Sequence, residues 1–270
     1  MAEPTVTTGT CTRAGRLVAV DLTPVGPRLR WAAGDTTRLS PPIAGLDALE
    51  ELDCTGLDLD DLDVRLLGRL RVLRCADNRL RELDLVASPS LQVLDCARNQ
   101  LMVLDLRNNP SLREVTCVDN GLGLLVLADP HPGDRLEVLD VSHNQLMVLD
   151  LGDRPRLRVA RVAHNALARA WLGARPLREL DLSRNDLDRV SSPARRRSSA
   201  CTSGATAFAA CELPAPAALR ELRFHGNYVA ELDLRGAISL EVLDAHRNQP
   251  RRWPCPPSPR WSSSTWPTTA

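Results

Sequence analysis

Eight cysteines and five histidines are the residues of this 270-residue chain best suited to hold a metal or act as nucleophiles. Eight of these thirteen are spaced regularly. Cys54, Cys75, Cys96 and Cys117 recur every 21 residues, and His143 and His164, like His225 and His246, stand 21 residues apart. Thiols stacked at one strand spacing, about 4.8 Å, would form a metal or redox row. Two imidazoles with a third and fourth ligand would hold a divalent cation. A plainer reading competes with each. The place held by cysteine belongs to Val141, Val162, Leu182 and Phe224 further along, so cysteine there serves as a small buried hydrophobe. The histidines have Asp119 or Arg247 as sequence-level neighbours and no complete ligand set, so they are expected to be solvated turn residues. Cys11, Cys201, Cys211 and Cys255 show no zinc-ligand spacing. No nucleophile elbow, phosphate-binding glycine loop or isolated carboxylate pair occurs. The expectation is therefore no catalytic residue, no metal and no cofactor.

The elements that position these side chains follow from a longer pattern. Leu70, Leu91, Leu112, Leu136, Leu157, Leu177, Leu219 and Leu240 each open a Leu-x-x-Leu-x-x-x-x-Asn-like frame, whose asparagines are Asn78, Asn99, Asn120, Asn144, Asn165, Asn185, Asn227 and Asn248. A period near 21 residues is the signature of stacked supersecondary units. In each copy the segment around the second leucine, such as Val72-Leu73-Arg74, is long enough for one strand only. The asparagine amide follows where the chain turns away, able to bond both a carbonyl and an amide of a buried turn. The second half reads Leu83-Asp84-Leu85, Leu104-Asp105-Leu106, Leu149-Asp150-Leu151 or Leu232-Asp233-Leu234. That is too short for a full helix, and Pro89, Pro110, Pro155 and Pro176 would stop one before the next copy. Extra residues near Asp129-Pro130-His131-Pro132-Gly133 suggest a surface bulge.

The frame Leu70, Leu73, Cys75, Asn78, Leu80, Leu83, Leu85 resembles a leucine-rich repeat, over roughly residues 46 to 250. Its length, with cysteine in several copies, is similar to the bacterial internalin-type branch. The resemblance implies a curved right-handed α/β-type solenoid, with a parallel β-sheet on the concave face and mostly extended or single-turn convex segments. It also implies a protein- or peptide-binding module. The organisation expected is a cap-like segment over 1–48, with strand-like Leu17-Val18-Ala19-Val20 and Leu29-Arg30-Trp31, then repeats over 49–190 and 212–249.

Strand residues flanking the middle leucine must point away from the core, because side chains alternate. These candidate binding residues are Val72, Arg74, Val93, Asp95, Glu114, Thr116, Val138, Asp140, Val159, Arg161, Glu179, Asp181, Glu221, Arg223, Val242 and Asp244. Valines among mixed charges suit a protein or peptide partner. Half-exposed valine also simply suits a strand, and composition leaves both readings open.

Net charge is zero, with 34 basic residues, all arginine, against 34 acidic ones, so nothing recommends nucleic acid or an anionic membrane as partner. The first 48 residues read as neither a signal peptide nor a membrane span. A cytoplasmic location is expected, with export open if the start is mis-assigned.

The pattern breaks twice. Residues 191–211 lose it while keeping the count, since Leu177 and Leu219 lie 42 residues, two periods, apart. Residues 250–270 lose it as well and are expected to form a disordered tail. Back-translated with GC-rich codons, Ser198 to Cys211 read from the third base as Leu-Ser-Val-His-Leu-Gly-Arg-Asn-Arg-Leu-Arg-Arg-Val, with the asparagine at position 206. Arg260 to Ala270 give Leu-Val-Glu-Leu-Asp-Leu-Ala-Asp-Asn-Arg in the same frame, where Trp261 and Trp266, which have one codon, both become leucine. Frameshifts in the coding DNA explain both breaks; ordinary Ser/Pro/Arg-rich disorder is the rival explanation. Three readings of the chain stay open: a complete binding module, the recognition part of a larger enzyme or cell-surface protein, or a decayed fragment.

Overall fold

The computed structural model describes residues 49–172, 177–187, 218–233 and 238–249, together with the strands Arg28–Arg30, Arg38–Leu39, Arg189–Ser191 and Ala210–Glu212. The chain divides into two compact units, Met1–Ala128 and Asp129–Ala270.

In the first unit, Arg28–Arg30, Glu51–Asp53, Val72–Arg74, Val93–Asp95 and Glu114–Thr116 pair side by side as a parallel main sheet. Each repeat supplies one strand, and the register Leu52, Leu73, Leu94, Val115 puts one apolar side chain per strand in a single row. Leu52, Leu73, Leu94 and Val115 are at most 1% exposed. At roughly 2 kcal/mol for a fully buried aliphatic side chain, rows of this kind supply the cohesion of the stack. A second parallel ladder joins Val103–Leu106 to Leu124–Leu127, and a short one joins Arg38–Leu39 to Asp61–Leu62. The segment Leu17 to Val20 lies outside the described residues.

The second unit repeats the plan with Val138–Asp140, Val159–Arg161, Glu179–Asp181, Glu221–Arg223 and Val242–Asp244. Glu179–Asp181 pairs directly with Glu221–Arg223, so this sheet passes straight over the residues whose repeat pattern is lost. The companion ladder runs Val148–Asp150, Arg169–Trp171, Arg189–Ser191, Ala210–Glu212, Glu231–Asp233 and does contain a strand from that stretch. The second halves of these repeats are thus extended, as expected, and they also pair with one another. Residues 192–209 and 250–270 lie outside the described residues, and with them the expected disordered tail.

Asparagine fastens each turn to the one before. The Asn99 amide oxygen accepts the Leu80 amide at 3.0 Å, while its nitrogen donates to the carbonyls of Cys75 at 2.9 Å and of Cys96 and Ala97 at 3.2 Å. Asn78, Asn120, Asn165, Asn185 and Asn248 repeat this bonding within their own units. Asn227 bridges the gap in the pattern, taking the Leu187 amide at 3.1 Å and giving to the Leu182 carbonyl at 2.9 Å. The residue before the asparagine is left-handed in every copy from Asp77, with φ of 56°, to Arg247, with φ of 53°. This reverses the chain at the end of the strand; only Gly226 meets it without a Cβ penalty.

The extra residues after Ala128 form a docked bulge. A hydrogen bond from the Asp134 amide to the His131 carbonyl closes it at 2.9 Å. Pro130 then lies against Gly152, where a Cβ would stand 2.2 Å from Pro130 Cγ. Glycine is needed there for the contact and for its φ of 56°. Behind the bulge, Asp134 and Arg154 form an ion pair with side chains only 7% and 5% exposed.

Candidate functional site

The alternation anticipated for the main-sheet strands holds. Leu73, Leu94, Leu139, Ala160, Leu180, Leu222 and Leu243 are buried, and the residues on either side of each are half-buried or exposed. Strand pairing arranges those flanking residues in two columns. In the first unit they are Glu51, Val72, Val93, Glu114 and Asp53, Arg74, Asp95, Thr116. In the second they are Val138, Val159, Glu179, Glu221, Val242 and Asp140, Arg161, Asp181, Arg223, Asp244. Glu51 and Asp53 belong to the face although the sequence reading began at Val72.

The column from Asp140 to Asp244 alternates in sign, and the order depends on Asp181 and Arg223 being strand neighbours. Arg161 meets Glu179 at 2.5 Å and Asp140 at 3.9 Å, and Arg223 meets Glu221 at 2.8 Å. Opposite charges one strand apart support the ladder and largely neutralise each other.

Positive charge outside those pairs lies one residue before the strands. Arg158, Arg178 and Arg220 occupy equivalent places in three successive main-sheet turns, tied by hydrogen bonds from the Arg178 amide to the Arg158 carbonyl at 2.8 Å and from the Arg220 amide to the Arg178 carbonyl at 2.9 Å. All three side chains are exposed. Among the described residues none of them forms an ion pair, in contrast to Arg71, which reaches Glu50 at 3.4 Å in the first unit. Sequence periodicity gave no reason to single them out, because Arg178 and Arg220 are 42 residues apart in the chain.

Similarity to solved structures agrees with the bonding pattern. A leucine-rich repeat protein of Leptospira interrogans matches 84% of this chain and 62% of its own at 20% identity, with a TM-score of 0.52. The fold is that of the leucine-rich repeat. The ectodomain of the plant membrane receptor kinase GASSHO1/SCHENGEN3 from Arabidopsis thaliana, in complex with CASPARIAN STRIP INTEGRITY FACTOR 2, matches 81% of this chain and 30% of its own at 19% identity, with a TM-score of 0.52. The functional domain of InlJ from Listeria monocytogenes, described as including a cysteine ladder, is 21% identical over 84% of this chain and 59% of its own, with a TM-score of 0.47. The chain thus spans less than two thirds of the length of the Leptospira and Listeria proteins. No protein-family profile and no curated protein matches the sequence.

Within this leucine-rich repeat fold, Cys54, Cys75, Cys96 and Cys117 are fully buried free thiols. Burial pushes the Cys54 thiol up to about 12, and it raises Cys75 as well; Cys96 is raised first by its hydrogen bond with Cys117 and then by burial. The thiols of Cys54, Cys75 and Cys96 are thus protonated at neutral pH, and all four buried cysteines serve as packing groups. Among the described residues no helix is long and apolar enough to cross a membrane.

The histidines pair across successive turns, as their 21-residue spacing allows. His143 and His164 stack with centroids 4.1 Å apart, and burial, with His143 beside it, lowers the His164 pKa. His225 and His246 stack at 4.6 Å with rings 4° from parallel, and the Asp244 carboxylate lies against both.

Proposed function

We propose that the chain is a non-catalytic leucine-rich repeat module whose main-sheet face binds a protein or peptide. The reading extends to the kind of segment taken up in the second unit, an extended acidic stretch laid across Arg158, Arg178 and Arg220 beside Val138, Val159 and Val242. One observation carries it. Three exposed guanidinium groups stand on neighbouring turns without an ion pair among the described residues, while Arg161 and Arg223 in the strands beside them pair with Asp140, Glu179 and Glu221. Glu137 and Glu241 stand at the two ends of this row, and the three like charges at its centre repel one another, a repulsion that a carboxylate from outside would relieve. The valines alongside supply apolar area that such a segment would cover.

The test is a panel of extended peptides of equal length, acidic, neutral and basic, titrated against the full chain at low and physiological salt. Acidic peptides are expected to bind tightest, and more weakly as salt rises. The triple variant Arg158→Glu, Arg178→Glu, Arg220→Glu should lose at least about 10-fold in affinity for them and gain affinity for the basic set. Unchanged affinities in the triple variant would remove the assignment.

A further inference from the structure

We propose that His225, Asp244 and His246 form a binding site for a divalent transition-metal ion of the zinc, nickel or cobalt type. The two histidines lie in successive repeats, and the pairing of Glu221–Arg223 with Val242–Asp244 brings them together with the aspartate that ends the second strand. His225 Nδ1 lies 3.0 Å from Asp244 Oδ2 and His246 Nδ1 lies 2.6 Å from Asp244 Oδ1. One donor atom from each of the three residues falls within 4.8 Å of the others. This is the one such group of three among the described residues, and it includes neither His143 nor His164.

The surroundings suit coordination. Side-chain exposures of 20%, 24% and 38% leave the cluster partly desolvated yet reachable from solvent. The Nδ1 atom of His225 is buried and makes no hydrogen bond, since its approach to Asp244 is misaligned, so its bonding capacity is unspent. Backbone hydrogen bonds hold the site from beneath. The amides of Arg184, Phe224 and Gly226 donate to the carbonyls of His225, Asp244 and His246 at 2.7, 2.9 and 3.0 Å.

Two imidazoles and one carboxylate are the ligand set of borderline divalent ions, whereas calcium and magnesium prefer all-oxygen sites. Parallel rings aim their Nδ1 lone pairs side by side. Both therefore rotate inward on binding, a motion their partial exposure permits, until the ligands reach tetrahedral separation. Three protein ligands leave a further position for water or for a side chain of a partner. Asp244 stands in an outward column of the main sheet, so that position opens toward the proposed binding face.

The deciding experiment is calorimetric titration of Zn²⁺ and of Ni²⁺ into the metal-free, reduced full chain, with Co²⁺ absorption as a second readout. One equivalent is expected at micromolar affinity, with a raised Tm and a Co²⁺ spectrum free of thiolate charge-transfer bands. His225→Ala, Asp244→Asn and His246→Ala should each weaken binding at least about 10-fold, in keeping with the loss of one of three ligands. The pair His143→Ala, His164→Ala should bind as the parent does. Because all three ligand side chains reach the surface, the variants should keep the parent's circular dichroism, which separates lost binding from lost folding. No binding at 100-fold above micromolar concentrations, binding unaltered in the three variants, or a thiolate band would each overturn the proposal.

Discussion

Replacing Asn99 with alanine is expected to cost about 3–5 kcal/mol of folding stability, counting the buried backbone groups left without partners. The Leu80 amide loses its acceptor at 3.0 Å and the Cys75 carbonyl loses a donor at 2.9 Å, both in the neighbouring repeat. The Cys96 and Ala97 carbonyls lose donors at 3.2 Å within the same repeat. Asn99→Asp keeps the acceptor but removes both N–H donors and buries a charge, so it should be no milder. Urea unfolding followed by circular dichroism would measure the loss. Since repeats touch only their neighbours, hydrogen exchange should rise first around residues 75–101. A loss under about 1 kcal/mol, the scale of a single net hydrogen bond, would mean that the ladder is ornamental.

A second large effect is expected behind the bulge, within the second unit. Asp134→Ala takes the carboxylate away from the Arg154 guanidinium, only 5% exposed, and should destabilise the chain by about 3–5 kcal/mol. The Asp134 carboxylate also accepts the Leu136 amide at 2.9 Å, a bond the variant loses. The double change Asp134→Leu, Arg154→Met removes both charges and should recover much of that loss, because the desolvation of each ion is no longer incurred. A thermal-melt cycle of the parent, Asp134→Leu, Arg154→Met and the double variant reads this directly. Purely additive losses would show that the two residues act independently.

Much of the fold was legible because it depends on one side chain per turn. Leucine at the buried strand position and asparagine at the reversal are repeated often enough for the period to appear without any contact information. The cysteine place was legible too, since Val141 and Phe224 fill it elsewhere. Other features arise from neighbours that the sequence count does not reveal. Arg178 and Arg220 become adjacent only because the main sheet passes over the stretch where the pattern fails. The Asp134–Arg154 pair occurs once, so no periodicity announces it. For the histidines, sequence placed His225 beside His246 but missed Asp244, a residue of the presumed binding face that turns out to serve both rings. The frameshift reading of residues 191–211 and 250–270 remains a proposal about the DNA, resting on codons rather than contacts.

The measurement that bears most directly on the binding assignment is hydrogen exchange of the full chain with and without a saturating acidic peptide from the panel. Protection is predicted to concentrate on Val159–Arg161, Glu179–Asp181 and Glu221–Arg223 and the arginines preceding them, with the companion ladder of Val148–Asp150 and Arg169–Trp171 unaffected. Protection centred on that companion ladder, or spread evenly along the chain, would contradict a binding role for the main-sheet face.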